Sequence, residues 1–139
     1  RDIYPDCGPL GGLYTALYYS PRPLVAILPC DMPLLEPQVY RILLENAFSD
    51  RPVVAVSHLG LEPLVSVWPV EPSLSVIDKN LKNQKYSFRE TIEELKAVKI
   101  NIQAAMAEYR PEMFININYR DDLRKLEFNL KDKNDFRRP

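Results

Sequence analysis

The chain has 139 residues, which fits one domain burying roughly two-thirds of the surface its unfolded form exposes. Hydrophobic residues make up 46% and charged residues 27%, the balance of an ordinary soluble globular protein. The net charge of −1 and the lack of any large basic block argue against nucleic acid binding. No apolar run approaches the ~20 residues of a membrane-spanning helix.

Arg1 to Gly12 reads as a loop, with Pro5, Gly8, Pro9, Gly11 and Gly12 as breakers. A helix follows over Leu13 to Tyr19 and ends at Ser20-Pro21-Arg22-Pro23. Glycines ahead of a helix let the backbone approach an anion; the plainer reading is a tight turn. Leu24 to Leu28 is a short apolar run bounded by prolines, the pattern of an interior strand buried on both faces. Pro29 stops it and leaves Asp31 just past the strand's carboxyl end, where open α/β sheets bind ligands. A hard carboxylate oxygen there suits Mg²⁺ and, through it, a nucleotide triphosphate. The competing reading is a loop aspartate that makes a turn.

Pro37 fits the first turn of a helix whose stripe is Val39, Ile42, Leu43 and Phe48. Pro52 to Val56 and Leu64 to Trp68 read as two strands joined closely around His58-Leu59-Gly60, so an antiparallel or neighbouring pair is expected rather than a full crossover. His58 at that turn reads as a surface residue. It has no sequence partner for a triad or a zinc site. Ser73 is the expected cap of a helix carrying Leu74, Ile77 and Leu81. Lys79 to Lys85 reads as a polar linker with three lysines, a solvated surface or else a patch facing an anionic substrate. Ser87 and Glu90 form a capping box for Phe88 to Ala97, and Val98 to Ile102 alternates as a short strand. Met113 to Asn118 is an alternating strand with Phe114, Asn116 and Asn118 on one face. Paired asparagines suit a ligand, while Asn118 suits equally well the cap of a last helix, Tyr119 to Leu126. Glu127 to Pro139 is a charged tail, so the domain is expected over residues 1–126 and the tail over 127–139. Cys7 and Cys30 are far apart and read as free thiols of a reducing compartment. The start carries no signal-peptide pattern, and a cytoplasmic location is expected.

Three segments stand in order: Asp2 with GPLGGL at Gly8–Leu13, LPCDMPLL at Leu28–Leu35, and FININYRDDL at Phe114–Leu123. Together with EPLVSVW at Glu62–Trp68 they resemble the molybdenum cofactor guanylyltransferases, which join GMP from GTP to molybdopterin. The resemblance implies a Rossmann-like α/β nucleotidyltransferase fold, with a mixed, mostly parallel sheet and helices on both faces. It implies that Asp31 is a Mg²⁺ ligand beside the triphosphate and that Asp2 is a second nucleotide-binding aspartate. It implies that Asn116 and Asn118 lie toward molybdopterin, with proteins of molybdoenzyme assembly as possible partners. No residue is required as a general base.

Two departures bear on that resemblance. The family's opening strand and Gly-rich lysine loop have no counterpart before Asp31, and the Thr-Pro after the asparagines is Tyr119-Arg120. The abrupt start at Arg1 points to a longer protein. Without the preceding strands, Leu24 to Leu28 is expected to show an unpaired edge, open to another chain. A nucleotidyltransferase of the same fold using CTP or a sugar phosphate is one rival. A non-catalytic domain that binds a nucleotide or a protein partner is the other.

Overall fold

The computed structural model of the protein describes residues 1–117 and residue 124. In chain order these form α1 (Gly8–Tyr19), β1 (Leu24–Ile27), α2 (Pro37–Glu45), β2 (Val53–Ser57), β3 (Gly60–Pro69), α3 (Val70–Lys82), α4 (Phe88–Glu94), β4 (Val98–Asn101) and α5 (Ile102–Ala105). A 3-10 turn follows at Pro111–Phe114. The strands form one sheet in the order β1-β3-β2-β4. Strand β3 runs antiparallel to both β1 and β2, and β4 runs parallel to β2. So β1, β2 and β4 point the same way, and their carboxyl ends share one end of the sheet.

The sheet is covered on both faces because successive strand side chains point to opposite sides. Val53, Ala55, Val65 and Val67 pack with Val39, Ile42 and Leu43 of α2, with Ile102 of α5, and with Met113 and Phe114. Val54 and Trp68 pack on the other side with Leu10, Leu13 and Leu17 of α1, Ile77 and Leu81 of α3, and Ile92 of α4. The expected α/β class, mixed sheet and two helical layers are what the chain forms.

Several elements differ from the sequence expectations. Helix α1 starts at Gly8 rather than Leu13, because Pro9 sits in the first turn, where its missing N–H is no loss. Gly11 is buried inside this helix, and a Cβ there would lie 2.8 Å from the Tyr4 carbonyl oxygen. The glycine lets the chain's own N-terminal loop approach the helix. Gly12 has open space around its Cα. Gly11→Ala is therefore expected to destabilise the fold by about 1–3 kcal/mol through overpacking. Gly12→Ala is expected to stabilise it by up to ~1 kcal/mol through helix propensity. Thermal melts of the two variants check this, and equal shifts would contradict it.

Strand β1 is not interior among the described residues: it pairs with β3 alone and forms the sheet's edge. Ala26 is exposed and Leu28, just past the strand, is 67% exposed. Its apolar run is covered incompletely, as anticipated for a strand lacking a second neighbour. Phe48 is exposed because α2 ends at Glu45 and the chain leaves the helix before reaching it.

Ser73 is not a cap. Strand β3 continues to Pro69, and α3 begins directly after it with the Val70 N–H donating to the Pro23 carbonyl at 2.9 Å. That puts Ser73 inside the helix, buried, with a hydroxyl that has no hydrogen-bond partner among the described residues. Ser73→Ala removes this hydroxyl and is expected to raise stability by about 1 kcal/mol, read as a higher melting temperature.

The expected linker at Lys79 is helical through Lys82, and two of its lysines are engaged. Lys79 pairs with Glu94 of α4, and Lys82 pairs with Asp78 at 2.6 Å. Asn80 donates to Glu94 Oε2 at 3.0 Å and ties the two helices together. Lys82, then the Tyr4 hydroxyl, hold the Asp78 carboxyl below its usual range. The capping role of Ser87 is borne out: its hydroxyl accepts the Glu90 N–H at 3.2 Å.

The strand expected over Met113 to Asn118 does not form among the described residues. Pro111 opens a 3-10 turn instead, and the chain then runs on irregularly through 115–117. Met113 and Phe114 are consecutive yet both buried in one cluster, which a strand's alternation does not allow. Asn118, the helix expected over Tyr119 to Leu126 apart from Arg124, and the tail from Glu127 lie outside the described residues.

Candidate functional site

The site grows from one register pair, Ile27 of β1 opposite Ser66 of β3. Asp31 lies four residues beyond Ile27, and Glu62 lies four residues before Ser66. Because the strands are antiparallel, both leave the same end of the sheet, the carboxyl end of β1, β2 and β4. Binding at the carboxyl ends of strands is the general rule for open α/β sheets.

Strand β3 is irregular at this point. The register shifts between Val54, opposite Ser66, and Ala55, opposite Glu62. Residues 63–65 therefore bulge. Pro63 has no N–H for a ladder, which accounts for the break. The Ser66 hydroxyl donates to the Pro63 carbonyl at 2.9 Å and holds the bulge. Bulges re-aim side chains at sheet ends.

A cavity of about 230 Å³ opens there. Pro29, Asp31 and Met32 line it from the β1 loop, and Leu61 to Leu64 line it from the bulge. Arg89 of α4 and Asn116 complete the wall. The Ile117 N–H donates to the Asp31 backbone carbonyl at 2.8 Å, which ties the Asn116 segment to the Asp31 loop. Asp31 and Asn116, nearly ninety positions apart in the chain, thus meet in one cavity.

Asp2 is elsewhere. It is exposed on the loop before α1 and does not line this cavity. The loop is anchored on the α1–α3 side: the Ile3 N–H donates to Thr15 Oγ1 at 3.0 Å, and the Tyr4 hydroxyl donates to Asp78 at 2.6 Å. His58 is exposed at the β2–β3 turn, with its Nδ1 2.8 Å from the Tyr109 hydroxyl. Both cysteines are free.

Glu62 and Arg89 were not singled out in the sequence. The Glu-Pro pair opening EPLVSVW carried the signal for Glu62, since proline inside a strand marks a bulge. Nothing in the pattern marked Arg89, an exposed residue in the first turn of a short helix. Its guanidinium comes 3.5 Å from the Leu61 carbonyl at the cavity's rim.

Among the described residues, no group of three His, Cys, Asp or Glu side chains could hold a metal ion alone. The cavity instead offers Asp31 and Glu62. One or two carboxylates suit a hard cation that takes its other ligands from phosphate and water. A larger cavity of about 360 Å³ lies beside the β1 edge, lined mainly by apolar groups from Ala26 to Tyr40. Among the described residues its only carboxylate, Glu36, is paired with Arg110. The Tyr40 hydroxyl at its wall donates to the Ile27 carbonyl, and burial pushes that phenol's pKa up. The smaller cavity therefore holds the polar chemistry.

A protein of Carboxydothermus hydrogenoformans named "Probable molybdenum cofactor guanylyltransferase" is 32% identical over 136 residues, covering 95% of this chain and 68% of that protein. Proteins of the same name from Thermococcus kodakarensis and Bacillus subtilis are 32% and 28% identical, covering 86% and 91% of this chain. The matches span 58% and 66% of those two proteins, so the chain spans about two-thirds or less of the curated relatives it matches. The crystal structure of molybdopterin-guanine dinucleotide biosynthesis protein A from Archaeoglobus fulgidus has the same fold. It matches with a TM-score of 0.71 and 22% identity over 90% of this chain and 64% of that one. Residues 1–98 match the family described as MobA-like NTP transferase domain, and the chain belongs to that family.

Proposed function

We propose that the protein acts as a nucleotidyltransferase that joins GMP from GTP to molybdopterin, producing the guanine dinucleotide form of the molybdenum cofactor. The observation that carries the proposal is the meeting of Asp31 and Asn116 in one cavity at the carboxyl ends of parallel strands. The names of the relatives supply the two substrates.

In this reaction a phosphate oxygen of molybdopterin attacks the α-phosphorus of GTP. The new P–O bond forms as the bond to the β-phosphate breaks, and pyrophosphate leaves. A phosphate nucleophile is already ionised, so no side chain needs to take a proton. The work left to the protein is positioning and charge neutralisation. Asp31 would hold Mg²⁺, and the bound ion would neutralise phosphate charge. Asn116 offers two amide donors and an acceptor to the acceptor substrate. Arg89 brings a fixed positive charge to the rim of a cavity that otherwise carries two carboxylates. Asp2 and Asn118 remain proposed contacts, for the nucleotide and for molybdopterin respectively. Proteins that receive the finished cofactor are the proposed partners.

Arg89→Ala is expected to raise KM for molybdopterin about 10- to 100-fold, the loss of a charged hydrogen bond. Steady-state kinetics at saturating GTP checks it. The reading itself is tested by incubating the chain with α-labelled GTP, molybdopterin and Mg²⁺. The expected result is labelled dinucleotide with pyrophosphate released, and loss of product with EDTA. Product from CTP but not GTP would redirect the reading to a cytidylyltransferase. Nucleotide binding without turnover would favour a binding domain.

A further inference from the structure

We infer that Glu62 is a specificity-determining residue that recognises the 2-amino-4-oxopyrimidine edge of a bicyclic heterocycle, the feature shared by a pterin and a guanine. The inference rests on the reading above for its two substrates.

Glu62 is half-buried in the cavity, between Leu61 and Pro63. Its Oε1 accepts the Ser57 hydroxyl at 2.6 Å. Ser57 is buried at the end of β2, and its oxygen in turn accepts the Leu59 N–H at 3.1 Å. The carboxylate is thus fixed from behind by a short relay that begins in the hairpin backbone. A carboxylate so held keeps lone pairs for two parallel donors. The edge it fits presents a ring N–H beside an exocyclic amino group, a fork of adjacent donors like the one a guanidinium offers a carboxylate. Apolar neighbours, Pro63 and Leu64, suit the faces of an aromatic bicycle. The cavity's volume of about 230 Å³ has room for one such ring system but not for a whole nucleotide triphosphate.

Asp31 stands on the loop after β1 and Glu62 on strand β3, so the two carboxylates can be varied separately. A site built to pair with a donor rejects an analogue that lacks it, because the buried acceptor is then unpaired or faces another oxygen. Cytosine presents no such N–H and amino pair, so the same residue would select against CTP.

The test compares two analogue pairs on wild type and Glu62→Gln. The first is 6-hydroxymethylpterin against 6-hydroxymethyllumazine, which carries an oxygen in place of the amino group, followed by ligand fluorescence. The second is GTP against inosine triphosphate, which lacks the amino group, followed by calorimetry with Mg²⁺. Wild type is expected to prefer the amino member of at least one pair about 10- to 100-fold, and Glu62→Gln to erase that preference. Loss in the pterin pair assigns the residue to the acceptor, and loss in the guanine pair assigns it to the nucleotide. Ser57→Ala, which frees the carboxylate without touching a ligand, is expected to weaken the same preference in part. Preferences unchanged in both variants would overturn the inference. Unchanged preferences with Mg²⁺-dependent GTP binding that still requires Asp31 would leave the proposed function standing. A rise in the Mg²⁺ requirement of Glu62→Gln, with preferences intact, would make Glu62 a metal ligand and would also overturn it.

Discussion

Asp31→Ala is expected to weaken Mg²⁺-dependent GTP binding by about 100- to 1,000-fold, since a metal ligand at a phosphate site is worth several kcal/mol. The same variant is expected to melt at nearly the wild-type temperature. The reason lies in how the loop is held. The Ile117 N–H bonds to the backbone carbonyl of Asp31, and alanine keeps that carbonyl. The side chain itself is half-exposed and lines the cavity. Function and fold therefore separate at this position. Calorimetry with and without EDTA reads the first, and a thermal melt reads the second. Equal heats for wild type and variant would remove Asp31 from the metal site.

The largest stability effect is expected at Trp68, which is fully buried. Trp68→Ala should cost about 3–5 kcal/mol through the cavity it leaves. The ring packs edge-on against Phe88 of α4, with centroids 5.3 Å apart, so its loss also loosens that helix. Its Nε1 donates to Ser66 Oγ at 2.8 Å, and Ser66 donates to Pro63 across the bulge. The damage is therefore expected to reach the wall that carries Glu62. Trp68→Phe keeps most of the volume and leaves Ser66 its bond to Pro63, so a smaller loss is expected. Chemical denaturation of both variants orders them, and a Trp68→Ala loss below that of Trp68→Phe would contradict the account.

Much of this was legible in the chain. The α2 stripe, the β2–β3 pair, the Ser87 cap and the β4 strand all follow from local periodicity, caps and turn residues, which act over a few positions. The loop after Leu24 to Leu28 could be placed at a strand's carboxyl end because prolines fix where the strand stops. What local pattern could not decide was which strand lies at the edge, since an apolar run looks the same in either place. Nor could it separate Pro111–Phe114 from a strand, because a buried 3-10 turn and an alternating strand share residue types. Ser73 was misplaced because a good capping residue followed two prolines, while the true start was set by Pro23 some fifty residues earlier. The sequence named Asp31 and Asn116 as candidates and both line one cavity, whereas Arg89 reaches that cavity only through the packing of α4 on β3.

The central claim is that the Asp31 wall of the cavity between the Asp31 loop, the β3 bulge and Asn116 holds the metal and the phosphates it bridges, with the rest of GTP extending beyond the cavity. Mn²⁺ in place of Mg²⁺ tests it directly, because its unpaired electrons broaden nearby amide signals in NMR spectra. With GTP and Mn²⁺ bound, broadening is predicted at Asp31, Met32, Glu62 and Asn116, and only weakly at β4 and the far end of α3. Broadening that spares Asp31 and Asn116 while affecting another part of the chain would contradict the account.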